Sequence, residues 1–145
     1  MADPRSHAPD YFARRADGSA VVVDCRPVDR RDRPRDVAAF EATRRACAEV
    51  GWEYRLAGAP DSIMVGNVRW LAGYRHPRHH LAEVAGRLRE VFTDPAPLLT
   101  GAETAGDPIA VLPVLFHLLW RHDLIVDLST PLHQYTVVTG ARVTA

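Results

Sequence analysis

Asp10, Asp24 and Arg26 are the residues whose types and spacing could do chemistry. Asp24 and Arg26 are two apart at the end of a valine run, so in a strand they share one face while Val21, Val23 and Cys25 take the other. Tyr11-Phe12-Ala13 and Ala20-Val21-Val22-Val23 flank Ala16-Asp17-Gly18, a strong hairpin signal. A loop of those three residues, with Gly18 left-handed, pairs Arg15 with Ser19, and counting outward sets Asp10 opposite Asp24. The expectation is a pair of carboxylates and one cation on a single face at the open end of a hairpin. A loop shorter by one residue would shift the pairing and put the carboxylates on opposite faces. Such a set can hold Mg²⁺ through carboxylate and strand-carbonyl oxygens, while the cation orients an attacking water and offsets phosphate charge. The same residues also read as a surface hairpin with a solvated Asp–Arg pair.

The elements that must position these residues follow in order. Residues 28–36 form a charged loop of mixed sign, either a solvated connection or, through its arginines, a contact for DNA phosphates. Asp36 is the expected N-cap of a helix to about residue 50, stopped by Gly51, with Val37, Phe40, Cys47 and Val50 and small Ala39 and Ala46 inward. Trp52, Tyr54 and Leu56 alternate as one face of a strand, expected to run parallel to residues 21–24 through the helical crossover. A second helix is expected over residues 62–74, with Met64, Val68 and Leu71 inward and Trp70 and Tyr74 read as core rather than a base-stacking platform. His76, His79 and His80 sit in a Pro-containing turn, read as an exposed loop rather than a metal site. Residues 80–92 form the cleanest helix, with Leu81, Val84, Ala85, Leu88 and Val91 inward. Residues 93–97 end it and mark the expected boundary between 1–94 and 95–145. Asp107-Pro108 opens another helix carrying Leu112, Leu115, Phe116 and Leu119 on one side, kinked or effectively begun at Pro113, with His117 packed in its core. Strands are expected at 124–128 and 135–138.

The totals place these elements in an ordinary globular chain. At 145 residues, 47% apolar and 25% charged, it is one domain, or one small domain with an appendage. All eighteen basic residues are Arg, and the formal net charge of zero does not advertise nucleic-acid binding. Cys25 and Cys47 lack metal spacing and read as buried free thiols. The first residues carry no apolar run and residues 108–120 are too few to span a bilayer, so a cytoplasmic protein without a membrane partner is expected.

Pro9-Asp10, a hairpin, then Asp24-x-Arg26 resembles the PD-(D/E)xK nuclease signature, with Arg26 where that signature has Lys. Over P-D-Y-F-A-R-R-A-D-G-S-A-V-V-V-D-C-R-P, A-C-A-E-V-G-W-E-Y and N-V-R-W-L-A-G-Y-R, the chain looks like the TnsA family, the endonuclease partner of heteromeric transposases. The likeness continues more weakly into L-L-W-R-H-D-L-I-V-D-L and P-L-H-Q-Y-T-V-V. The resemblance implies an α/β, restriction-endonuclease-like core followed by a small winged-helix-like region. It also implies Mg²⁺-dependent (or Mn²⁺-dependent) hydrolysis of double-stranded DNA at transposon ends, beside a DDE-type transposase subunit. On that transfer Asp10, Asp24 and the Cys25 carbonyl hold the metal and Arg26 stands at the lysine position. A guanidinium cannot serve as a neutral base, though it can stabilise charge and orient water. The family core opens with a helix bearing a metal-binding Glu. With nine residues ahead of Asp10 and Asp3 the one acid among them, that helix is expected to be missing. The other expectation is therefore a catalytically impaired relative that acts as a DNA-binding or transposase-binding adaptor.

Overall fold

The computed structural model describes residues 7–141. Asp3 and the expected absence of a leading helix fall outside them. The protein is mixed α/β, with five α-helices and two three-stranded sheets among the described residues. It divides into two compact units, Met1–Ala59 and Pro60–Ala145.

The first unit opens with the hairpin β1 (Tyr11–Arg14) and β2 (Ala20–Cys25). Gly18 has φ +84°, a left-handed conformation that a Cβ disfavours, and Asp17 Oδ1 accepts from Ser19 N at 2.9 Å inside the loop. Arg15 N donates to Ser19 O, so the pairing runs Arg14 to Ala20 and Tyr11 to Val23 as the loop length predicts. Helix α1 (Pro34–Glu49) is capped at Arg33 and so starts three residues earlier than expected. Pro34 takes the first helical position, where its missing N–H costs nothing, and Asp36 becomes a first-turn acid rather than the cap. The helix closes on a Schellman pair, with Gly51 N to Ala48 O and Trp52 N to Cys47 O, and Gly51 at φ +71°. That closure occupies the Trp52 N–H, so β3 begins at Glu53 (Glu53–Ala57) rather than at Trp52. As expected, β3 pairs parallel to β2, Val22 with Tyr54 and Asp24 with Leu56. The buried face of α1 is narrower than its periodicity suggests. Phe40 and Cys47 are buried, whereas Val37, Val50 and Ala46 are exposed.

The second unit packs α2 (Ser62–Ala72), α3 (Ala82–Val91), α4 (Leu98–Ala105) and α5 (Pro108–Trp120) with the sheet β4 (Ala96–Pro97), β6 (Val137–Gly140), β5 (Leu124–Val126). The expected boundary after residue 94 does not separate two units. Phe92, at the end of α3, shares one core with Leu98 and Ala102 of α4 and Val111, Leu115 and Leu118 of α5. Helix α2 turns Asn67 and Leu71 inward, not Met64 and Val68, because Asn67 is consumed by a polar clamp. Its amide donates to Leu128 O at 3.0 Å and Thr130 O at 2.7 Å and accepts from Leu132 N at 3.3 Å. Trp70 is 55% exposed rather than core, though its ring meets Tyr74 and Phe116. In α3, Leu81 precedes the helix and is exposed. Pro113 lies inside one continuous helix α5, which is buried on more than one side, with Val111, Val114, Leu115, Leu118 and Leu119 all enclosed. His117 is packed as expected, its Nδ1 2.7 Å from Tyr74 O. Strands β5 and β6 are antiparallel but shorter at their facing ends than expected, since Asp127 turns back to accept from Ser129 N and Oγ. No single helix among the described residues is long and apolar enough to cross a membrane.

Candidate functional site

The open end of the β1–β2 hairpin gathers the charged groups. The ladder ends at Tyr11 with Val23, and Asp10 and Asp24 are the next residues on the two sides of the hairpin's open end. Asp10 stands at a bend, exposed, and its Oδ2 accepts from Cys25 N at 2.7 Å. The second strand's backbone thus reaches Asp10 through the N–H of Cys25.

Asp24 is the unusual residue of the unit. Alternation along β2 places it on the face of Val22, where the parallel register adds Tyr54, and only 1% of it is exposed. Burying a carboxylate is costly unless it is hydrogen-bonded or paired. Tyr54 Oη donates to Asp24 Oδ2 at 2.8 Å, and His7 Nε2 lies 3.0 Å from the same oxygen. The His7 ring stands edge-on to Phe40 of α1, centroids 6.1 Å apart, which seats the imidazole over the carboxylate. Asp24 Oδ1 is equally buried and has no hydrogen-bonding partner among the described residues. Burial pushes the Tyr54 phenol up first of all, with the hydrogen bond to Asp24 and the charges of Asp24, Cys47 and Asp10 adding to it. It therefore stays protonated, and a donor, across the neutral range.

Arg26 lies one residue past the end of β2, and its guanidinium has a partner on α1: Nε is 3.5 Å from Asp36 Oδ2. Its N–H extends the β2–β3 ladder to Ala57 O at 2.9 Å. Cys25 is exposed rather than buried, because it takes the face opposite Asp24 at the strand's last position. Cys47 is buried as expected. Beyond β2, Arg31 Nε donates to Arg26 O, and no carboxylate among the described residues pairs with Arg31, Arg33 or Arg35.

Among the described residues no group of three or more His, Cys, Asp or Glu side chains is placed to hold a metal ion. That includes His76, His79 and His80, where the His76 ring instead accepts from Arg78 N. The Asp10–Asp24 pair meets a different requirement. Mg²⁺ is commonly held by one or two carboxylates, the remaining positions going to water and phosphate oxygen. An all-oxygen donor pair in which one buried carboxylate oxygen lacks a partner fits a hard cation of that kind.

His7 and Tyr54 are site residues that the sequence alone does not single out. Tyr54 emerges only once the structure fixes the parallel register that sets it on the face of Asp24. His7 carries no signal beyond standing three residues before Asp10. No protein-family model matches the chain, and no curated protein matches it significantly.

Proposed function

We propose that this protein is the metal-dependent endonuclease subunit of a transposase, hydrolysing phosphodiester bonds in double-stranded DNA at transposon ends alongside a DDE-type partner. The observation that carries this reading is the buried Asp24, next after the last pair of the hairpin ladder as Asp10 is on the other side, with one carboxylate oxygen that has no hydrogen-bonding partner among the described residues. Asp10, Asp24 Oδ1 and the Cys25 carbonyl would hold Mg²⁺, with Mn²⁺ as substitute. Bound there, the ion would supply Lewis-acid polarisation of a phosphoryl oxygen and a more acidic water. The chain's own contribution is positional and electrostatic. Arg26 offsets phosphate charge beside the carboxylates, and Arg31, Arg33 and Arg35 contact the DNA backbone on either side. In this reading the hairpin, α1 and β3 belong to a restriction-endonuclease-like core, and α5 with the β5–β6 pair belongs to a winged-helix-like region.

One observation favours a second reading. The Arg26–Asp36 contact ties the cation at the motif position to α1, as expected of an impaired relative that serves as a DNA-binding or transposase-binding adaptor. Mn²⁺ titration calorimetry on the wild type, Asp10→Ala and Asp24→Asn, with Mn²⁺-dependent nicking of supercoiled plasmid, separates the two. Saturable binding lost in both variants, with nicking that follows it, is the expected result. A folded wild type that binds duplex DNA in a salt-dependent way but takes up no Mn²⁺ would establish the adaptor instead.

A further inference from the structure

We infer that Tyr54 and His7 are positioning residues, which grip Asp24 by Oδ2 and so present Oδ1 to the cation. The inference rests on the metal reading of the site. An aspartate carboxyl group turns readily about its last torsion, and burial alone does not fix which oxygen faces where. Here two donors from different parts of the chain meet on one oxygen, the phenol of β3 and the imidazole of the segment before β1. Their sequence separations from Asp24, 30 and 17 residues, make the arrangement a product of the tertiary fold rather than of a local turn. A carboxylate buried for structure alone would spread its donors over both oxygens, since buried polar atoms are almost always satisfied. Doubling the donors on Oδ2 while Oδ1 stays bare is the division expected of a ligand that waits for a positive charge. Metal-binding carboxylates are themselves held by hydrogen bonds, and those partners set affinity by fixing orientation.

Two properties suit Tyr54 and His7 to this role. Tyr54 sits in the parallel ladder, its backbone held in register with Val22 of β2. His7 is at the edge of the site, its side chain 27% exposed, and can be changed with little disturbance to the packing behind it.

The test is Mn²⁺ binding by the whole chain, read by calorimetry and by the electron paramagnetic resonance of free Mn²⁺, with circular dichroism confirming that each variant is folded. Tyr54→Phe and His7→Leu should each weaken Mn²⁺ binding about 10- to 100-fold. His7→Gln places an amide N–H near the position of Nε2 and should bind close to wild type, a rescue that loss of packing would not produce. Equal Mn²⁺ affinity in wild type, Tyr54→Phe and His7→Leu would overturn the positioning role and leave the metal site standing. A folded wild type that binds no Mn²⁺ would overturn the metal reading itself, and this inference with it. Should Tyr54→Phe fail to fold, the contrast between His7→Leu and His7→Gln decides the matter.

Discussion

Tyr54 Oη meets Asp24 Oδ2 at 2.8 Å although Asp24 is paired with Leu56, so the phenol reaches diagonally along the parallel ladder to a carboxylate one strand away. His7 approaches the same oxygen from the segment before β1. The buried charge is therefore shared between two donors, and each is the other's reserve.

Removing both donors should cost more than the sum of removing each. With one gone, the other still solvates Oδ2; with both gone, a carboxylate that is 1% exposed has nothing. Tyr54→Phe alone is expected to destabilise by about 1–3 kcal/mol, and the double variant with His7→Leu to show a coupling of about 0.5–3 kcal/mol beyond additivity. Urea unfolding of the four species in a cycle, without added metal, measures it. Strict additivity would mean that the two donors do not share the charge.

Glu53 gives a pH dependence whose sign can be worked out. Arg15 and, second, Arg55 donate to its carboxylate and hold it below the usual Glu range. A carboxyl depressed in the folded state stabilises above its unfolded value, near 4.3, and loses that contribution as pH falls through the folded one. Glu53→Gln should thus melt below wild type at neutral pH, with the gap closing as the buffer is taken toward pH ~3. The pair is half-exposed, so added salt should narrow the gap as well. A gap that widened in acid would contradict the Arg15–Glu53–Arg55 arrangement.

In the second unit, Gly101 is where α4 and Phe92 touch. A Cβ there would lie within 3.0 Å of three ring atoms of Phe92, a side chain with no exposed surface. Gly101→Ala is expected to destabilise by about 1–3 kcal/mol through overpacking, despite alanine's better helix propensity. Adding Phe92→Leu should recover part of that loss, so the double variant unfolds later than the two single effects sum to. A stabilising Gly101→Ala would show that the ring moves aside freely.

Much of the first unit is legible in its local chemistry. Asp17 and Gly18 dictate the loop, the loop length dictates the register, and the register brings Asp10 and Asp24 to the two sides of the hairpin's open end. Gly51 stops α1, and the period-two run after it returns as a parallel strand. The contacts of Asp24 were out of reach for a different reason. The parallel register decides whether Tyr54 can touch it, and that register depends on where a crossover helix of 16 residues returns the chain. Helix faces suffered likewise. Met64 and Val68 satisfy the apolar spacing of α2, yet Asn67 faces inward because three backbone groups of residues 128–132 need partners. A polar residue that wins a buried position by hydrogen bonding is invisible to a pattern that counts apolar side chains. Pro113 misleads in the opposite direction, since it lies within a helix enclosed on several sides.

The parallel pairing of β2 with β3 has a kinetic side. The hairpin closes over a loop of a few residues, whereas β3 can dock on β2 only after all of α1 has been laid down and turned back. Closing that longer loop carries the larger entropic cost and belongs to the slower class of folding events. The Asp24 cluster draws its members from both sides of that closure. Asp24 and His7 belong to the hairpin segment, while Tyr54 arrives with the crossover. During synthesis the carboxylate therefore emerges 30 residues ahead of its phenol partner and stands in water until that partner exists.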